Sequence, residues 1–257
     1  MAKLTFHGGI HPYDGKDLSK DKPMKVIEPP KGEMVYPLSQ HIGAMAVPVV
    51  AKGDRVLTGQ KIAEAGGFVS APIYSSVSGT VKTIEPRRVV TGDMVNSIII
   101  DNDGLFEEVT YEAHDPDKLS KQEIIKLIQE AGVVGMGGAG FPTHVKLSPK
   151  EPEKIEYVIA NCAECEPYLT SDYRRMLEEN LEEPEKLVEG LKIILRLFDN
   201  ARGILAVEDN KPDCIQILKD LTKDDTRISV KALKTKYPQG AERQLIYAAT
   251  GRAINSS

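Results

Sequence analysis

The sequence predicts an α/β protein in two parts: an N-terminal all-β module of barrel-sandwich type over residues 1–112, then a Rossmann-like parallel-sheet domain over 113–257. Three observations predict it. Residues 24–102 hold short segments rich in β-branched side chains, separated by glycines and prolines. From about residue 118, apolar strand-like runs alternate with helix-like ones. Between them, Tyr111–Lys118 gathers Glu, Asp and Pro, the composition of a connection.

In the first part, Ala46–Val50, Arg55–Leu57, Gly79–Ile84 and Ser97–Ile100 read as strands. Their spacing suits a small sandwich or barrel, so residues 24–105 should fold as a separate β module. Gly53-Asp54 supplies a tight turn and Gly59-Gln60 a second corner, a pattern familiar from barrel-sandwich domains. Ala71-Pro72 and Ser78-Gly79-Thr80-Val81 resemble the returning half. Biotinyl and lipoyl domains of this build present a modified lysine on a hairpin tip. Here no lysine lies between Lys61 and Lys82, and the tip reads Gly66-Gly67-Phe68-Val69, so a structural docking module is expected instead of a swinging arm.

The second part opens with a capping box, Ser120 and Glu123, ahead of a helix over Lys121–Glu130. Tyr157–Ala160, Gly203–Val207 and Ile228–Leu233 read as buried strands, and Glu185–Leu197, Pro212–Leu221 and Glu242–Thr250 as helices. Strands and helices alternating at this spacing build a parallel sheet.

Composition narrows the function. A net charge of −5 with interspersed acids and bases gives no footprint for nucleic acid, and the sparse aromatics offer no base-stacking platform. No apolar run reaches the roughly 18–20 residues that span a bilayer. The opening Met1-Ala-Lys-Leu-Thr-Phe-His lacks the regions of a secretory signal, and three cysteines make no disulfide framework, so a cytoplasmic-side protein is expected.

The segment Gly135-Met136-Gly137-Gly138-Ala139-Gly140-Phe141-Pro142-Thr143-His144-Val145-Lys146 contains G-x-G-x-x-G, but a helix precedes it where the dinucleotide fingerprint needs a strand. It also lacks the ending of a nucleotide-triphosphate P-loop. Small residues let backbone approach a flat or phosphorylated ligand and turn N–H groups toward an anion, with Lys146 adding a charge. A glycine-rich turn required for close packing is the competing reading.

With its neighbours, this loop resembles the flavin loop of the 51-kDa NADH/FMN subunit of complex I and its relatives. Asn161-Cys162-Ala163-Glu164-Cys165-Glu166-Pro167-Tyr168 and Tyr237-Pro238-Gln239-Gly240 are similar to phrases of the C-subunit family of the Rnf complex, a ferredoxin:NAD oxidoreductase. Phe6-His7-Gly8-Gly9-Ile10-His11-Pro12 and Pro37-Leu38-Ser39-Gln40-His41 are also similar, so the likeness runs the length of the chain. It implies an FMN-binding second domain. Gly135, Gly137, Gly138, Ala139 and Gly140 would line FMN, Lys146 would approach its phosphate or ribityl chain, and Asn161 would sit beside the ring edge. Phe141, Glu164, Gln239, Gly240 and Glu242 would face NAD(H) as substrate. Met136 stands where complex I carries Arg, and Cys162-Ala163 replaces Ala-Asp, removing a carboxylate near the flavin. Cys162 and Cys165 form a lone C-x-x-C, for which metal or dithiol chemistry is the minor reading.

The resemblance further implies that ubiquitin-like and ferredoxin-like domains follow residue 257. The [4Fe–4S] clusters would sit there, since such a cluster takes four thiolates and this sequence has three cysteines. Implied partners are other Rnf-type membrane subunits and a ferredoxin-linked donor or acceptor, on the cytoplasmic face of the membrane. A related flavoprotein serving another acceptor, of cobalamin-reductase type, carries its barrel-sandwich portion after the flavin domain; the order here favours Rnf. A docking module that has lost FMN is the third reading.

Overall fold

The computed structural model describes residues 4–25, 27–136, 138–178 and 183–254. The chain packs as two units: residues 27–150 form one, and residues 1–26 with 151–257 the other.

In the 27–150 unit, β1 (Gly32–Pro37), β7 (Met94–Asn102), β6 (Gly79–Arg88) and β3 (Arg55–Val56) form one antiparallel sheet in that order. A second sheet has the order β2 (Val47–Pro48), β4 (Lys61–Glu64), β5 (Ile73–Tyr74). Tyr36, Val56, Ile62, Ile73, Val81, Ile98 and Ile100 close a common core. In β7 the consecutive residues Ile98, Ile99 and Ile100 are all 0% exposed, so both faces of the strand are covered there. The four expected strands lie within or across observed ones. Their two long members extend further, because β6 and β7 pair from Gly79↔Asn102 to Arg88↔Met94 as one long hairpin. The strands β1, β4 and β5 carried too little period-2 signal to be expected.

The same unit contains α1 (Lys121–Glu130) and α2 (Thr143–Lys146). α1 starts where the capping box puts it: the Ser120 hydroxyl accepts from Glu123 N, and the Glu123 carboxylate accepts from Ser120 N. The packing units therefore divide at different points from the expected 112/113 boundary, with α1 and the glycine-rich loop packing alongside the β module.

In the other unit, β8 (Tyr157–Cys162), β9 (Arg202–Glu208) and β10 (Ile228–Leu233) form a parallel sheet with β9 central. Side chains alternate across β9. Ile204 and Ala206 meet Leu245, Ala248 and Ala249 of α6 (Glu242–Thr250). On the opposite face, a side chain at Gly203 would press on Leu191 and Leu195 of α4 (Glu183–Leu195). α5 (Pro212–Thr222) packs on β9 and β10, and α3 (Ser171–Leu177) against α4 and α5. The three strands and three long helices expected here all form, with ends close to the expected ones. α3 was not expected.

Candidate functional site

The glycine-rich loop is pinched at its base. Gly135 N donates to Phe141 O at 2.9 Å, Thr143 N donates to Val133 O at 3.0 Å, and Val134 bridges Pro142. Within the loop, Gly138 and Gly140 have φ of 75° and 62°, the left-handed region that glycine enters without strain. Their surroundings differ. A Cβ at Gly140 would stand 3.0 Å from Gln40 O, so packing demands that glycine, whereas a Cβ at Gly138 would meet nothing within 4 Å. Ala139 O accepts from Ile42 N at 3.0 Å and ties the loop to the segment after Leu38. Met136 is 98% exposed and Phe141 is 39% exposed. Gly137 lies outside the described residues.

The loop thus combines the two readings of its glycines: Gly140 is there for packing, and Gly138 leaves open space above its backbone. Lys146 ends α2 with its side chain exposed. An open glycine backbone with a nearby lysine in sequence fits a flat, phosphorylated group such as FMN. His144 is spent on structure: it is 3% exposed, its Nε2 lies 3.1 Å from Phe68 O, and its ring stands edge-on to that of Phe68.

In the other unit, the residues singled out from the sequence gather where the parallel strands end, the edge at which open α/β sheets bind ligands. β8 ends at Asn161-Cys162, and Asn161 joins two loops. Its Nδ2 donates to Gly240 O at 2.9 Å and its Oδ1 accepts from Ala163 N at 3.2 Å. Gly240 N donates to Cys165 Sγ at 3.3 Å, and a Cβ at Gly240 would overlap the Ala163 carbonyl oxygen. Asn161, Cys165 and Gly240 are therefore one assembly. Gln239 is 0% exposed, and neither atom of its side-chain amide has a hydrogen-bond partner among the described residues. The Tyr237–Pro238 bond before it is cis.

Glu164, expected to face a ligand, is 5% exposed. Its carboxylate accepts from Asp172 N at 2.9 Å and from Tyr173 N at 3.4 Å, and lies 4.0 Å from Lys16 Nζ. It thereby satisfies the N–H groups at the start of α3, for which the Thr170 side chain makes no cap. The neighbouring Glu166 is exposed, and so is Glu242 in the first turn of α6.

Three residues near this edge escaped sequence reasoning. Glu208 ends β9 at 0% exposure and pairs with Lys211, 1% exposed, at 3.1 Å; Lys16 is 7% exposed. Burial pushes the Glu208 carboxyl up against the opposing pull of Lys211 and Lys16, and burial followed by Lys211 holds the Lys16 ammonium below its usual range. A Glu closing the apolar run Gly203–Val207 was the available signal for Glu208; Lys16 sits in an aperiodic loop and had none. A cavity of about 270 Å³ opens beside β8, lined by Asn161, Cys162, Asp172, Arg175, Met176 and Lys186 among others. Burial, then Glu164, pushes the Asp172 carboxyl up.

The three thiols are buried. Burial pushes Cys162 up to about 12 and raises Cys165, although the Gly240 N–H opposes it there. Among the described residues, no group of three or more His, Cys, Asp or Glu is arranged to hold a metal ion. Nor is any described helix long and apolar enough to cross a membrane.

Residues 128–257 match the family model of the Nuo51 FMN-binding domain. The chain belongs to that family. Residues 4–105 match the RnfC barrel sandwich hybrid domain, and residues 106–127 lie between the two matched segments. The chain is similar to the C subunit of the Na(+)-translocating ferredoxin:NAD(+) oxidoreductase complex of Acetobacterium woodii, 43% identical over 98% of this chain and 56% of that protein. It is likewise similar to the C subunit of the proton-translocating ferredoxin:NAD(+) oxidoreductase complex of Clostridium ljungdahlii, 44% identical over 98% of this chain and 54% of the relative. The chain thus spans about half the length of these relatives. The crystal structure of an NAD+-reducing [NiFe]-hydrogenase in the H2-reduced state is 27% identical over 55% of this chain and 25% of that one, at a TM-score of 0.41. The resemblance to the N-terminal part of RnfC, first seen in short phrases, holds along the chain.

Proposed function

We propose that this chain is the FMN-carrying, NAD(H)-facing portion of an Rnf-type electron-transfer protein. The observation that carries the reading is the Nuo51 FMN-binding match over 128–257, which begins just ahead of the glycine-rich loop and its open backbone at Gly138. Gly135, Gly138, Ala139 and Gly140 present backbone to the flavin, Lys146 supplies positive charge for its phosphate, and Asn161 contributes a polar contact. Phe141, Gln239, Gly240 and Glu242 serve the nicotinamide nucleotide. FMN, when bound, supplies a two-electron centre able to exchange hydride with NAD(H). The protein's share is orientation and electrostatics.

Glu164 enters this reading differently from the other acids. Its carboxylate is occupied by α3 and Lys16. It therefore supports the loop, while Glu166 and Glu242 are the exposed acids that meet ribose hydroxyls or a carboxamide. In the full assembly we place the chain peripherally on the cytoplasmic face. Its partners there are membrane subunits and a ferredoxin-linked carrier, reached through [4Fe–4S] clusters outside these 257 residues. The names of the relatives, drawn from ion-translocating ferredoxin:NAD(+) oxidoreductase complexes, support that setting.

The test is flavin titration of the 257-residue chain. FMN absorbance should co-elute with the protein, and anaerobic NADH should bleach it. A folded chain that retains no FMN would leave the docking-module reading in its place, and bleaching by another reductant but not NADH would leave the related flavoprotein.

A further inference from the structure

The N-terminal segment matches a family model of the β module, yet it packs with residues 151–257. There it touches the two phrases that the proposed function relies on. At one end, Leu4 bridges Leu233 alongside β10, and Ile10 and Tyr237 exchange both backbone hydrogen bonds at 2.9 Å. Lys236 Nζ donates to Phe6 O and, at 2.8 Å, to Gly8 O, while lying 3.8 Å above the Phe6 ring. At the other end, Lys16 Nζ donates to Leu169 O at 2.6 Å and Glu166 O at 3.2 Å, with Glu164 at 4.0 Å. An ammonium has three donors, and all three of these partners come from one loop. Tyr168 N donates to Asp14 O at 2.6 Å, Gly15 lies against the Tyr168 ring, and Ser19 Oγ is 2.8 Å from Thr170 Oγ1. Tyr168 is held at φ 67°, a conformation that persists in a non-glycine residue where its surroundings over-determine it.

We propose that Leu4–Ser19 is a clamp that sets the Glu164–Thr170 loop and the Lys236–Gly240 turn relative to each other, with Lys16 the positioning residue for the first. The two phrases are also joined directly, through Asn161 and Cys165 to Gly240. The clamp grips each from the side away from that junction in sequence. Buried cations donating to carbonyl oxygens are costly to maintain, so Lys16 and Lys236 fix loop geometry that no regular element fixes. The functional part of this proposal rests on the flavin and nucleotide reading above; the clamp itself does not.

The experiment compares the full chain with Lys16→Met, Lys16→Arg and the milder Ser19→Ala, by hydrogen exchange and NADH titration. Lys16→Met should speed exchange of the Tyr168, Asp172 and Tyr173 amides at least tenfold while leaving Ile204–Val207 unchanged. It should weaken NADH at least tenfold, with Lys16→Arg restoring part of both. Ser19→Ala should loosen the same amides less, and it decides the matter by the same criterion if Lys16→Met does not fold. Unchanged exchange over 164–173, or equal loosening of β9, overturns the clamp. Loosened exchange with unaltered NADH affinity overturns the positioning role. A wild-type chain that takes up no NADH defeats the nucleotide reading alone, and the exchange data still decide the clamp.

Discussion

The Asn161 side chain donates to the backbone carbonyl of Gly240 at 2.9 Å, joining two loops 79 residues apart in sequence. The approach is close enough that Gly240 has no room for a Cβ, which would strike the Ala163 carbonyl. Gly240→Ala should therefore force the Tyr237–Gly240 turn off the Ala163–Cys165 loop and cost about 1–3 kcal/mol, as overpacked sites do. Urea unfolding of the variant measures it. An unchanged midpoint would mean that the two loops are free to separate.

Gly138 is tested by two substitutions that differ in backbone strain. Asn tolerates φ near 75°, whereas a β-branched Val does not, at a cost of about 1–2 kcal/mol. Both project a side chain into the open space. Gly138→Asn should melt close to wild type and lose FMN; Gly138→Val should lose FMN and some stability. FMN affinity equal to wild type in Gly138→Asn would take this residue out of the flavin site.

Glu164→Ala and Glu242→Ala should part company. The first leaves Lys16 short of its buried counter-charge and two α3 N–H groups without an acceptor, so it should destabilise by on the order of 3 kcal/mol. Glu242 is exposed in the first turn of α6, so its loss should cost no more than about 1 kcal/mol while weakening NADH roughly five- to 150-fold. Melting curves beside NADH titrations separate the two. Equal melting of both variants would contradict the capping role of Glu164.

The buried thiol of Cys162 gives a pH signature. The folded state keeps its proton up to about 12, whereas an unfolded thiol ionises near its ordinary value of 9.0. The unfolded chain thus releases the proton first, and this contribution to stability, full below pH 9, declines as pH rises toward 12. Cys162→Ala should flatten the loss of stability above pH 9. At about pH 7.5, iodoacetamide should leave Cys162 unmodified in the folded chain and alkylate it in urea, because the thiolate is the nucleophile. Rapid native alkylation would show the thiol to be reachable and ionised.

Much of this was legible in the sequence because the governing physics is local. The helix over Lys121–Glu130 is announced by its capping box, and the β9 run Gly203–Val207 by apolar residues that can only be covered on both faces. The order of glycines from Gly135 to Gly140 likewise marked a loop where backbone must bend freely. The strand β1 was not legible, since its partner β7 lies about 60 residues further along the chain, and β4 and β5 are too short for their own propensity to mark them.

Tertiary structure decided what each polar residue does. Nothing in Ala163-Glu164-Cys165-Glu166 says which glutamate is buried, yet folding spends Glu164 on α3 and Lys16 and leaves Glu166 exposed. Nothing in the first 20 residues says that Lys16 closes on a loop 150 positions away. A side chain's type is a property of the sequence, but its charge state, partners and access to a ligand depend on what the folded chain brings within a few ångströms of it.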